Sequence, residues 1–404
     1  MKAFLGAFGD AGHVFPIMAL GRALADRGHE VTVETYTRWQ PEVEREGFRF
    51  VAAPEFAGNP DDSRFFLAPF KAVEQATHIT REQLRADRPD VVVSDILTLA
   101  PALAAELEGI PVATLVPHID PRPHPGHPPY SLGAQYPRTG AGRAIWRPFE
   151  RLVVRGGEMG RNELNETRRR VGLAPQPQIH NGISEQLALI ASFPQMEYPR
   201  DSWGPNTHVI GPLEWEPQTD AVALPDGEAD WPLVVVAPST AQDPTGRLLI
   251  AAANGLADLP IRLLITTNRR PPAGGLRAAP NVTVVDWLSY SQAMPHAAVV
   301  VCHGGHGTLV RALSSGAVPV IWPAYGDMAE NAARAAWAGA AVRVPRRFLR
   351  ARTLRLAVMR AMSEPGLAAR AAELAAWSAA HDPAGDGARL VEELAARIAG
   401  PIPG

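Results

Sequence analysis

Six consecutive residues, His303-Gly304-Gly305-His306-Gly307-Thr308, stand between an apolar run, Ala297 to Val301, and an apolar helical pattern. This is a strand running into a glycine turn that opens a helix. The first N–H groups of a helix have no intrahelical partner, and that end carries partial positive charge. Glycines let a ligand come close to the backbone, so the turn suits an anionic phosphate group. His303 can add one more donor, or a charge, to the same oxygens. Ser239 and Thr240, just past the apolar run 233–237, can donate hydroxyls to those phosphates or equally cap a helix. An isolated HGG reads just as well as a tight turn with a satisfied histidine, so the surrounding chain has to decide.

The elements that would position these residues alternate regularly. Ala3 to Phe8 is a short strand, 9–13 a loop, and Val14-Phe15-Pro16 opens a helix closed by Gly28. Glu30 to Glu34 is the next strand, Pro89 to Asp95 another, and 112–116 a further one. Strands at 187–191 and 209–211 complete a first unit, 1–211. Residues 212–232, rich in proline and acidic side chains and without periodicity, read as a linker. The alternation restarts at Leu233, with a helix over 244–258 and strands at 261–266 and 282–285, giving a second unit, 233–385. Repeated βαβ units predict an α/β fold: two doubly wound, Rossmann-like domains facing each other across a deep cleft. A 404-residue chain fits two cores, since single ones stop growing at roughly 250–300 residues.

The order of Asp286-Trp287, Pro295-His296, the HGG turn, Gly316-Ala317-Val318-Pro319, Pro323, Asp327 and Asn331 resembles the donor-binding signature of nucleotide-sugar-dependent glycosyltransferases of GT-B fold. The resemblance is to the bacterial natural-product branch and spans nearly the whole chain. The run GHVFPIMALGRALADRGHEVTV is similar to the same family, in which the loop histidine at the His13 position is the catalytic base. The resemblance implies that Trp287 stacks on the nucleobase, that residues 303–308 hold the pyrophosphate, and that helix 386–404 packs back on the first domain. It also implies that the 117–147 region shapes the acceptor pocket. The chemistry expected is direct, inverting transfer from a nucleotide sugar to a hydrophobic small-molecule acceptor such as a polyketide or macrolide aglycone. Fixed donors meet the charge of the leaving diphosphate, so no metal and no cofactor is expected. A base near pH 7 needs a carboxylate to fix its tautomer, which makes Asp95 the partner of His13. Asp95 also reads as a helix N-cap, and Asp10 is the reserve partner.

Departures from the family pattern refine the expectation. Where relatives carry Asp-Gln to hold sugar hydroxyls, this chain has Asp327-Met328; Met328 offers only an apolar surface, so a deoxysugar carried by dTDP is expected. Ser289-Tyr290 replaces the usual Pro-Gln, and Arg311 stands where plant relatives have a ribose-binding glutamate. His306 faces the sugar or phosphate, or is a packing choice. GHVFP also resembles the transferase that adds GlcNAc to the peptidoglycan lipid intermediate; no basic-apolar docking face is read in the first domain. A catalytically idle sugar-nucleotide-binding auxiliary of this fold is the third reading.

Composition narrows the class. A net charge of −3 gives no electrostatic footprint for nucleic acid. The single cysteine, Cys302, sits in an apolar strand and reads as a buried hydrophobe. No signal peptide is read, and no apolar run approaches the roughly 20 residues that span a bilayer. A cytoplasmic protein without membrane insertion is expected; a homodimer is compatible with the reading. His118, His124 and His127 have no ordinary zinc spacing, and Arg151 to Val171 reads as a helix with a solvated basic face.

Overall fold

The computed structural model of the protein describes residues 1–54, 71–177, 182–219, 224–225, 230–239, 243–324 and 326–399. Short apolar strands separated by helices bury themselves as parallel sheets, because each crossover returns the chain to the same end. The first half does so with β1 (Lys2–Gly6), α1 (Ala11–Asp26), β2 (Glu30–Thr35), α2 (Gln40–Arg45) and β3 (Arg49–Ala52). It continues through α3 (Lys71–Asp87), β4 (Val91–Asp95), α4 (Leu99–Glu108), β5 (Val112–Val116), α5 (Gly140–Val171), β6 (Leu187–Ile190) and β7 (Thr207–Val209). The strands form one parallel sheet in the order β3-β2-β1-β4-β5-β6-β7. The order reverses between β1 and β4, so their carboxyl ends open a crevice.

The second half repeats the plan. β8 (Leu233–Ala237), α6 (Arg247–Leu256), β9 (Arg262–Thr266), β10 (Val282–Val285), α7 (Tyr290–Ala293) and β11 (Ala297–Cys302) lead to α8 (His306–Ser314). Then follow β12 (Val318–Ile321), α9 (Asp327–Trp337), β13 (Val342–Arg343), α10 (Ala351–Ser363), α11 (Pro365–Ala380) and α12 (Pro383–Ala399). This sheet is parallel too, in the order β10-β9-β8-β11-β12-β13, reversing between β8 and β11. The last helix leaves its own domain: Ala388, Val391 and Leu394 of α12 join Leu20 and Leu189 in the core of the first sheet. Gly387 permits the approach, since a Cβ there would sit 3.2 Å from both Ile210 Cδ1 and Leu20 Cδ1.

Two helices differ from the sequence expectation. α1 begins at Ala11, three residues before Val14, so His13 lies in the first helical turn and not in a loop. The His13 and Val14 amides donate to Asp10 O at 2.9 and 3.0 Å, which makes Asp10 the N-cap by its carbonyl. α5 is a single helix of 32 residues that starts at Gly140, with Pro148 inside it. A proline removes one ladder bond and bends a helix without ending it.

The linker is stitched to both domains. Trp215 is buried against the first domain, its ring 5.2 Å from Phe15 and its indole N–H donating to Glu46 at 2.9 Å. Its neighbours turn the other way. Glu214 pairs with Arg311 at 3.0 Å, and Glu216 accepts from the Tyr290 and Ser291 amides at 2.9 Å and the Ser289 hydroxyl at 3.1 Å. Ser289, Tyr290 and Arg311, the departures from the family pattern, therefore serve as the linker's anchor points.

One buried acid predicts a pH dependence of stability. Glu34 on β2 is 1 % exposed; burial pushes its carboxyl up to about 7, against the hydrogen bonds from the Thr80 hydroxyl at 2.8 and 3.1 Å. The folded protein therefore holds a proton that the unfolded chain releases near 4.5, and stability falls as pH rises from there to about 7. Glu34→Gln keeps an acceptor for Thr80 and should remove that decline, raising stability at pH 8 by up to about 3 kcal/mol. Urea unfolding at pH 5 and pH 8 reads the difference; an equal effect at both would remove the titration from the account.

Candidate active site

Ligand sites in open α/β sheets lie beyond the carboxyl ends of the strands where the strand order reverses. Both reversals here are occupied by chemistry-bearing side chains. At the first, His13 follows β1 and Asp95 ends β4, with Gly6 in register with Ser94. At the second, His303 follows β11 and Ser239 follows β8, with Cys302 in register with Ala237.

His13 Nδ1 donates to Asp95 Oδ1 at 2.8 Å, leaving Nε2 free of that carboxylate. Asp95, 1 % exposed, divides its oxygens: Oδ2 receives the Leu97 amide at 3.2 Å and the Thr98 hydroxyl at 3.4 Å. The N-cap of α4 is Thr98, so Asp95 does not cap the helix; its second oxygen holds the turn that leads into it. Burial alone would lower the His13 pKa, but the charge and hydrogen bond of Asp95 outweigh it, helped by Asp10 and Asp327, and the net shift is upward. Asp10 itself is exposed and pairs with Arg38 at 3.1 Å.

His118, at the end of β5, sits edge-on to His13 with ring centroids 6.5 Å apart. Its Nδ1–H donates to the Ile119 carbonyl at 2.7 Å, and burial lowers its pKa, so it is neutral with its lone pair on Nε2. Tyr130 joins it from the 117–139 segment, its hydroxyl 3.4 Å from His118 Nδ1. Nothing in the sequence marked either residue for this position except its place in a long irregular segment.

Across the cleft, Gly304 adopts φ +83°, and a Cβ there would meet Ile321 Cγ2 at 2.8 Å, so only glycine fits. Asn331 fixes the turn by donating to Gly304 O at 3.0 Å. The first ladder bond of α8 runs from Leu309 N to Gly305 O at 3.0 Å, so the amides of His306, Gly307 and Thr308 precede the ladder and emerge at the helix end. Space above Gly307 is open, and Met328 Cε lies 4.0 Å from a Cβ built on Gly305. Asp327, at the start of α9, reaches across far enough for its charge to act on His13, His118 and Tyr130.

The two turn histidines have different surroundings from those expected. His303 is buried: Nδ1 accepts the Ser239 amide at 2.8 Å and Nε2 lies 3.5 Å from Asp243 Oδ2. Burial lowers its pKa, so it is a neutral brace between β8 and β11 whose two nitrogens already face protein groups. His306 is not aimed at sugar or phosphate. Its Nε2 donates to Ala191 O of the first domain at 3.0 Å, and burial pushes its pKa down to about 4. It is a contact between domains. Thr240 lies outside the described residues.

Trp287 follows β10 and is 41 % exposed, with the Arg269 guanidinium 5.1 Å from its ring centre. Asn268 and Arg269 both have positive φ, 49° and 62°, and the Arg269 amide donates to Asp286 O at 2.8 Å, which ties this strained turn to the tryptophan. Cys302 is buried and its thiol is pushed up to about 12, so it is no nucleophile. His124 and His127 lie together, ring centroids 4.6 Å apart, with His127 bound to the Pro199 carbonyl at 2.9 Å, while His118 sits against His13.

The His13–Asp95 pair and the amino end of α8 therefore face each other across one cleft. The comparisons with known proteins agree on what such a cleft belongs to. The model described as Erythromycin biosynthesis protein CIII-like, C-terminal domain matches residues 250–394, and the Glycosyl transferase 4-like domain matches 12–158. The chain is 30 % identical to 4'-demethylrebeccamycin synthase of Lentzea aerocolonigenes over 95 % of this chain and 97 % of that one. It is 29 % identical to O-mycaminosyltylonolide 6-deoxyallosyltransferase of Streptomyces fradiae over 98 % of each. Among solved structures, the glycotransferase of kitacinnamycin superposes with TM-score 0.74 at 23 % identity, covering 97 % of this chain and 98 % of that one. The glycosyltransferase VinC in complex with dTDP gives 0.72 at 20 %, covering 98 % and 100 %. The chain belongs to the antibiotic and natural-product branch of the GT-B glycosyltransferases.

Proposed function

We propose that this glycosyltransferase moves a deoxysugar from a dTDP-sugar to a hydroxyl of a hydrophobic acceptor, with inversion. The observation that carries the reading is the His13–Asp95 pair, 2.8 Å apart, facing a cleft whose opposite wall is the amino end of α8. His13 Nε2 takes the acceptor proton while the acceptor oxygen bonds to the anomeric carbon. The bond from that carbon to the diphosphate oxygen breaks, and its electron pair leaves with the nucleotide. The amides of His306, Gly307 and Thr308 meet that charge without a metal. Asp327 accepts from a sugar hydroxyl, and Met328 offers a thioether where a hydroxyl would need a partner. Trp287 stacks on the base, with Ser239 and the turn glycines lining the phosphate path. A relative named for 6-deoxyallosyl transfer and a neighbour solved with dTDP support the choice of sugar and nucleotide.

Calorimetric titration with dTDP and UDP tests this reading. Wild type should bind both and prefer dTDP. Gly307→Asp has open space for its side chain and sets a carboxylate at the helix end, where it suits the helix and repels a diphosphate. Affinity should fall about a hundred-fold or more, as like charges placed together cost several kcal/mol. Binding by neither nucleotide in the wild type, or unchanged binding by Gly307→Asp, would overturn the cradle.

A further inference from the structure

We propose that the outer face of α5 docks the protein on an anionic lipid surface beside the acceptor pocket. The first six turns of this helix carry an apolar row and a basic row. Ile145, Phe149, Leu152 and Met159 recur on one stripe, 66, 42, 66 and 62 % exposed. Arg143, Arg147, Arg151 and Arg155 recur every four residues along a row that winds toward this stripe, so that Arg151 and Arg155 flank it. Arg143 leans on the Tyr136 ring at 5.9 Å; Arg147, Arg151 and Arg155 are exposed, and among the described residues no carboxylate pairs with them. Between positions 140 and 159 the four arginines face two carboxylates, Glu158 and Glu150, and Glu150 is turned inward to accept the Gly126 amide at 2.9 Å. An acidic protein thus concentrates net positive charge along one apolar helix face.

That combination selects its partner. A basic row beside an apolar row lets a helix lie in the headgroup plane, with leucine and isoleucine in the acyl boundary and arginines on lipid phosphates. A second copy of the chain would set rows of four arginines against each other with Glu158 alone to answer them. A polyanion without an apolar layer would leave Ile145 and Leu152 in water. Phe149 borders both sides of these turns: with Val153 and Val154 it walls a cavity of about 190 Å³ under the proline-rich 121–129 segment. Docked this way, the protein would draw an apolar acceptor laterally out of the lipid; that consequence rests on the proposed function, whereas the docking does not. Among the described residues no helix is long and apolar enough to cross a membrane, so the association is peripheral.

Flotation of the full chain with vesicles decides the matter. Wild type should float with phosphatidylcholine vesicles containing one third phosphatidylglycerol, and not with phosphatidylcholine alone. Each of Arg147→Gln, Arg151→Gln and Arg155→Gln should lower the partition coefficient about five-fold, and rising salt should do the same. Leu152→Glu should abolish flotation at unchanged circular dichroism. Failure of the wild type to float, flotation indifferent to the arginines, or an α5-dependent dimer in sedimentation without flotation would each overturn the proposal. Nucleotide titration of the same samples is independent of the outcome, so a failed docking leaves the transferase reading standing.

Discussion

Replacing His13 with alanine should lower transfer by about 10²–10⁴-fold, the ordinary contribution of a positioned general base, while leaving nucleotide affinity unchanged. The asymmetry follows from the geometry. His13 belongs to the first domain, and the amides that would receive the diphosphate belong to α8 in the second. Asp95→Asn tests the pair more finely. With Nδ1 donating to Asp95 Oδ1, the lone pair sits on Nε2, where an acceptor hydroxyl would be met. An amide NH₂ turned toward that nitrogen would reverse the tautomer and leave Nε2 protonated. Asp95 also raises the His13 pKa against its burial. The base works unprotonated, so the acid limb of kcat/KM should lie above the ordinary histidine value in wild type and move to lower pH in Asp95→Asn, at reduced kcat. An acid limb that stays in place in that variant would assign it to another group.

How much of this was legible in the chain differs from residue to residue, for physical reasons. The placing of His13 and Asp95 beyond strand ends was readable because strand ends follow from apolar runs, whereas the role given to His13 comes from the family resemblance. The HGG turn was readable because glycine at positive φ has a local cause. The orientation of the histidines was not, because a ring's partners come from elsewhere. His306 finds its acceptor at Ala191, and His303 finds the Ser239 amide on another strand. No local pattern encodes either contact. The linker shows the same limit from the other side. Its proline and acid content reads as spacer, yet Glu214 and Glu216 are matched to Arg311 and to the Ser289–Ser291 turn of the second domain. Residues that looked like lost donor contacts are the partners of the linker acids here. The helix read over Arg151 to Val171 runs from Gly140 across Pro148, and Ile145 and Phe149 of its apolar row lie in the turns that the sequence reading left out.

Arg334→Leu should be the most damaging change in the described core, because one guanidinium serves two buried carboxylates from different domains. Arg334 on α9 donates to Glu330 Oε1 at 2.9 Å within its own helix and to Glu197 Oε2 at 2.6 Å in the first domain, and lies 4.2 Å from the Tyr198 ring centre. Glu197 passes the connection on by accepting the Asp120 amide at 3.1 Å, and Asp120 is held in turn by Arg200 and Arg122, both at 3.0 Å. Burial raises the pKa of both glutamates even with the arginine present. Taking it away strands two charges, and breaking a buried pair costs about 3–5 kcal/mol. The same principle says that removing all three charges costs far less, so Arg334→Leu combined with Glu197→Gln and Glu330→Gln should recover most of the loss. The single variant should also regain stability as pH falls, since protonating the stranded carboxylates removes their penalty, whereas the triple variant should not. Denaturant unfolding at pH 5 and pH 8 distinguishes these outcomes. A triple variant as unstable as the single one would place the weight on the Tyr198 contact instead, and the domain junction would be held by packing and not by charge.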